Sequence, residues 1–118
     1  MAWKWPFSLG RKRTPKSEPV IPAGHIRMRL RYVGKVQAVG FRFTVDGCAR
    51  EAGVTGWVKN MDDGSVLTEA QGTPEQVVNF KRLVQEAIDN PKTWIEGYLA
   101  EEEQLPPKAD TRFSILNL

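Results

Sequence analysis

The sequence predicts an α+β sandwich: an antiparallel sheet with two helices on one face and a short extra C-terminal strand. Three observations lead there. The stretch HIRMRLRYV, residues 25–33, alternates between apolar and arginine positions. Two later stretches, 41–52 and 77–88, take up a helical apolar period. These periods follow one another as strand, helix, strand, strand, helix, strand, and a final short strand.

In the first strand Ile26, Met28, Leu30 and Tyr32 face one way, and Arg27, Arg29 and Arg31 the other. Period two means one buried face and one wet face. That favours an antiparallel sheet covered on one side only. The arginines are expected on a solvated sheet face, with cross-strand acidic partners such as Glu69. From Phe41 the period lengthens. Phe41, Val45, Cys48, Ala49 and Ala52 form a helical stripe, and Gly53 stops it. Cys48 lies on that stripe, which makes it core rather than nucleophile. VTGWVKN and SVLTEAQG read as two strands, and MDDG between them supplies a hairpin turn. In TPEQ, Thr73 caps a second helix, Pro74 suits its first position, and Gln76 completes a capping box. Val77, Phe80, Val84, Ala87 and Ile88 form its stripe, and DNP ends it. A fourth strand is expected from Trp94 to Glu101, with Gly97 as a bulge and Glu101–Glu103 as a solvated strand end. Pro106 and Pro107 mark a loop, and RFSIL makes the last strand. Trp57 and Phe41 are assigned to the core. Two split βαβ units in this order make a ferredoxin-like sandwich. Right-handed crossovers put both helices on the same face.

The 118 residues suffice for one compact domain. One cysteine, Cys48, cannot form an internal disulfide, which fits a reducing compartment, so the expected location is cytoplasmic. No apolar run approaches the roughly 20 residues of a membrane span. Residues 1–24 carry five Lys/Arg against one Glu; residues 25–118 carry 12 Lys/Arg against 13 Asp/Glu. The basic balance therefore belongs to the tail, and nucleic-acid binding is not expected of the folded part. Pro6, Pro15, Pro19 and Pro22 break any regular element in that tail, which lacks the apolar centre of a secretion signal. Trp3, Trp5 and Phe7 beside Arg11, Lys12 and Arg13 could touch an anionic surface; the plainer expectation is a solvated, disordered extension. The domain organisation expected is thus a tail over 1–24 and one domain over 25–118.

GKVQAVGFR, residues 34–42, joins the first strand to the first helix. Small residues let the backbone curl so that successive N–H groups point inward, and such a nest at a helix N-terminus binds an anion. Arg42 falls in the first helical turn, where the helix dipole disfavours a cation. A phosphate in the site would reverse that, held by bidentate guanidinium contacts. By spacing alone a Gly-rich turn is often only a turn.

The same stretch resembles the first signature of the acylphosphatase family, G-x-V-Q-G-V-G-F-R. GWVKNMDDGSVLTEAQG, from Gly56 to Gly72, resembles the second, with Gly56, Trp57, Asn60, Gly64, Val66 and Gly72 in place. The similarity runs from about Ile26 to Ile115 and leaves the tail without a counterpart. The resemblance implies hydrolysis of the carboxyl–phosphate anhydride of small acyl phosphates without metal or cofactor. It implies phosphate binding by the backbone of Gln37, Ala38, Val39, Gly40, Phe41 and Arg42. Arg42 matches the family's essential arginine, and Asn60 the asparagine that orients the attacking water. Inorganic phosphate is then product and inhibitor, and the chain is expected to act as a monomer. A carboxylate leaving group needs no general acid, so the lack of a Ser/His/Asp set, a Cys/His pair or a metal cluster is consistent with this chemistry. His25, the only histidine, is expected at the surface or in a cap; Asp62 and Asp63 are explained by the turn. The family usually has glycine where this chain has Ala38; a positive φ there would cost alanine about 1 kcal/mol.

Two other readings stand beside this one. The first is a non-catalytic phosphate or acyl-phosphate binding module, with Ala38 as the damage. The second is RNA recognition on the same element order. It needs exposed aromatics on the central strands, but SVLTEAQG has none and Tyr32 faces inward.

Overall fold

The structure, a computed structural model, describes residues 20–117. The aromatic and basic residues of the tail, Trp3 to Lys16, lie outside them. Seven elements follow in chain order: β1 (Ile26–Lys35), α1 (Phe41–Ala52), β2 (Thr55–Asn60), β3 (Val66–Gly72), α2 (Pro74–Asp89), β4 (Glu96–Leu105) and β5 (Phe113–Leu116). The sheet order is β4-β1-β3-β2-β5. Its first four strands pair antiparallel, as the alternation in β1 implies. β5 adds to the outer edge of β2 in parallel, so the sheet is mixed there.

Both helices cover one face. Leu30 and Tyr32 of β1, Phe41, Val45 and Ala49 of α1, Val58 of β2, Val66 and Ala70 of β3, and Val77, Phe80 and Val84 of α2 close the core between them. α1 ends at Gly53, whose left-handed backbone returns its amide to Ala49. α2 begins with the full capping box: Thr73 accepts from the Gln76 amide, and the Gln76 side chain accepts from the Thr73 amide. Among the described residues no helix is long and apolar enough to cross a membrane.

The other face departs from the expected solvated one. Arg27 is only 1% exposed and Glu69 is equally buried. Arg27 Nε donates to Glu69 Oε1 at 2.7 Å, and its Nη1 donates to Asp110 Oδ2 at 2.6 Å. Arg29 donates from Nε and Nη2 to Glu69 Oε2. The β4–β5 connection provides the cover. Gln71 grips it by accepting from the Lys108 amide at 2.7 Å and donating to the Lys108 carbonyl at 2.6 Å. Burial alone would push the Glu69 carboxyl up. Hydrogen bonds from Arg27 and Arg29, with the charges of Arg27 and Lys108, outweigh it and hold the group below the usual carboxylate range.

Three further expectations are corrected. β4 starts at Glu96, because the chain is still turning at Asn90, which accepts from the Lys92 and Thr93 amides. It runs on to Leu105, because Glu101–Glu103 lie within the β1 ladder, where Glu101 pairs with Arg31 and Glu103 with Arg29. The irregularity sits at Ala100, not Gly97: Arg31 pairs with Glu101 and Tyr32 with Leu99, leaving Ala100 without a partner. Gly97 faces Gly34 across the ladder, and a Cβ on Gly97 would stand 2.4 Å from the Val33 carbonyl oxygen. That glycine pair brings β1 and β4 together at the foot of the 36–40 loop. Trp57 is half-buried on the outer face beside Ala109–Arg112, not in the core, since its neighbours Gly56 and Val58 take the inward positions.

Candidate active site at the β1–α1 loop

The loop after β1 is held between two core anchors. Val36 and Phe41 are both buried, and the Phe41 ring meets Tyr32 edge-on with centroids 5.3 Å apart. Between the anchors the backbone alternates in hand, with φ of 60° at Ala38 and 78° at Gly40 and negative φ at Gln37, Val39 and Phe41. Such alternation turns consecutive N–H groups toward one point.

Those donors have no acceptor among the described residues. α1 has no capping side chain and no acidic residue in its first turn, unlike α2. The first amide there with an acceptor is that of Thr44, 3.0 Å from the Gly40 carbonyl oxygen. The amides from Gln37 to Phe43 have none among the described residues. One helix start is thus closed by side chains and the other left as a ring of donors at the positive end of the helix.

Ala38 adopts a left-handed backbone, φ 60°, the condition under which its methyl carries a cost. Removing the Cβ penalty in Ala38→Gly is expected to stabilise the fold by about 1 kcal/mol, read from urea unfolding. An unchanged or lower stability would show that this backbone carries no strain.

Gln37 has a role that the sequence did not disclose. Its Nε2 donates to the carbonyls of Met61 at 2.8 Å and Ser65 at 2.9 Å. The loop is thereby tied to the β2–β3 turn that carries Asn60. Asp63 shapes that turn, as expected, accepting from the Ser65 amide and hydroxyl. Asn60 ends β2, and its Oδ1 is buried without a hydrogen-bond partner among the described residues. A buried acceptor left unsatisfied costs about 1–3 kcal/mol, so it marks a place that a donor should fill. His25, half-buried before β1, has an Nδ1 similarly unpartnered among the described residues, at the opposite end of that strand from this loop.

Val36, Ala38, Gly40, Phe41, Arg42, Phe43 and Asn60 line one cleft of about 170 Å³. A larger cleft, about 420 Å³, lies on the other side of Asn60 among Arg31, Lys59 and Asp62. The smaller one is lined by the loop whose amides lack an acceptor, which makes it the candidate site. Arg42 Nη1 donates to the carbonyl oxygens of Leu116, at 2.7 Å, and Asn117. Its Nε and Nη2 have no protein acceptor among the described residues. Asn117, at φ 62°, also donates from Nδ2 to the Asn60 carbonyl oxygen at 3.2 Å. The end of the chain therefore braces both Arg42 and Asn60, contacts that no local pattern announces.

Cys48 is partly buried on α1 and packs against the core. Burial, aided by the charge of Glu51, pushes its thiol up to about 11, so it stays protonated near neutral pH and is no nucleophile.

Comparison with known proteins follows the same residues. The family model described as Acylphosphatase matches residues 28–115. The acylphosphatase of Thermotoga maritima is 35% identical over 79 residues, covering 67% of this chain and 84% of its own length. That of Oceanobacillus iheyensis is 46% identical over 61 residues, 52% of this chain; the match spans 65% of the relative's length. The crystal structure of acylphosphatase from Bacillus subtilis superposes with a TM-score of 0.63 at 30% identity, covering 77% of this chain and 98% of that one.

Proposed function

The chain belongs to the acylphosphatase family, and from that premise we propose that it hydrolyses acyl phosphates to a carboxylate and inorganic phosphate. The observation that carries the reading is the run of amides from Gln37 to Phe43 with no acceptor among the described residues, beside an Arg42 guanidinium whose Nε and Nη2 likewise have none there. The ring and the guanidinium take the phosphoryl oxygens as acceptors. Asn60, which lines the cleft, hydrogen-bonds the attacking water through its side-chain amide and turns the water's lone pair toward phosphorus. The water oxygen bonds to phosphorus as the bond to the acyl oxygen breaks. The carboxylate departs with that electron pair, and the water's proton passes to phosphate or solvent. The leaving acid has a pKa of about 4, so no general acid is required. A loose transition state asks little of the nucleophile, and positioning with charge neutralisation supplies most of the rate.

Benzoyl phosphate tests this. Turnover is expected with competitive inhibition by inorganic phosphate and no loss in EDTA; loss in EDTA would contradict the metal-free mechanism. Asn60→Ala is expected to lower kcat about 10²-fold with little change in KM, because it removes water positioning and leaves the phosphate ring. A pure binding module is the rival, favoured only by the Ala38 methyl in its left-handed backbone. Phosphate binding without turnover would select it. The single cysteine supports a cytoplasmic setting; a monomer is tested by size-exclusion chromatography.

A further inference from the structure

Phe43 has no structural reason to be aromatic. It stands in the first turn of α1, two residues and about 200° around the helix from Phe41, and it is 61% exposed. The buried stripe of the helix is Phe41, Val45, Ala49 and Ala52, and Phe43 lies off it. A lone exposed apolar side chain is ordinary. This one is set apart by its place, since Phe43 lines the same 170 Å³ cleft as Ala38, Gly40, Arg42 and Asn60.

We propose that Phe43 is a specificity-determining residue whose ring forms the wall against which the acyl group lies, favouring aryl and larger apolar acyl phosphates over small or charged ones. The inference rests on the acyl-phosphate reading of the site and deepens it. With the phosphoryl end against the loop amides and Arg42, the acyl end must project out past the first turn of α1. The other cleft residues are Val36 and Phe41, both buried in the core, the small Ala38 and Gly40, and the polar Asn60 and Arg42. An acyl ring leaving water for the Phe43 face gains apolar burial and aromatic contact that an acetyl group cannot match.

The test compares kcat/KM for benzoyl phosphate and acetyl phosphate in the full chain, Phe43→Ala, Phe43→Leu and Val78→Ala. Val78 is a second exposed apolar residue, on α2 and outside the cleft. The intrinsic reactivities of the two substrates cancel when their ratio is compared between variants. The benzoyl-to-acetyl ratio is expected to fall about tenfold in Phe43→Ala, to fall less in Phe43→Leu, and to hold in Val78→Ala. A ratio unmoved in Phe43→Ala, with or without an equal loss on both substrates, overturns the proposal. If the full chain hydrolyses neither substrate, calorimetric binding of phenylphosphonate against methylphosphonate decides the point without turnover. A phenyl preference lost in Phe43→Ala upholds the wall and removes only the hydrolytic reading. The absence of a phenyl preference overturns the wall as well.

Discussion

Replacing Arg42 by glutamine is expected to cut acyl-phosphate turnover by about 10³-fold while the protein stays folded. Two donors without an acceptor among the described residues, Nε and Nη2, are lost together with the charge that offsets the phosphoryl dianion. Arg42→Lys keeps a charge but loses the planar fork, so it should recover less than a tenth of the missing rate. The substitutions also remove the Nη1 bonds to Leu116 and Asn117, worth about 1–2 kcal/mol together at this partly exposed position. Urea unfolding beside kcat/KM separates the two effects. A glutamine variant with more than a tenth of the parent rate would remove Arg42 from the mechanism.

The largest effect on stability is expected at the opposite face of the sheet. Arg27→Met leaves Glu69 buried with Arg29 as its main partner and strands Asp110, and should destabilise the fold by about 3–5 kcal/mol. For a domain of this size that corresponds to a fall in Tm of roughly 15–30 °C. Combining Arg27→Met with Glu69→Leu should recover much of the loss, since well-packed apolar groups replace buried ion pairs at little cost. The pair also sets an acid limit. Glu69 is held below its ordinary pKa in the fold, so its contribution is fully present above the unfolded-state value and is lost as pH falls through the folded one. Glu69→Gln should therefore flatten the acid limb of stability against pH. A single-variant cost below 1 kcal/mol would mean that the network is only a solvated surface cluster.

That network also shows where reading a sequence stops. α1 and α2 were legible because their signals are local: an apolar period, a capping box within four residues, a glycine at one helix end. The loop 34–42 was legible for the same reason, and its likeness to a family signature brought Arg42 and Asn60 into one proposal. Burial of Arg27 was not legible, because alternation assigns a side of the sheet without saying what covers it. The cover comes from Lys108 and Asp110, about 80 residues further along the chain. The start of β4 and its bulge depend on register with β1, and the parallel docking of β5 on β2 depends on a strand only four residues long. Gln37 read as a phosphate-loop residue, yet its side chain is spent on the β2–β3 turn. The braces on Arg42 come from Leu116 and Asn117, at the other end of the chain, where no pattern points to the site.

The central claim is that the amides from Gln37 to Phe43 converge on a phosphoryl group with Arg42 beside them. Titrating ¹⁵N-labelled protein with inorganic phosphate tests it most directly. Saturable shifts concentrated in the backbone amides of residues 37–43 and in the Arg42 side chain are the predicted result. Saturation that moves amides elsewhere and leaves those seven in place would contradict it.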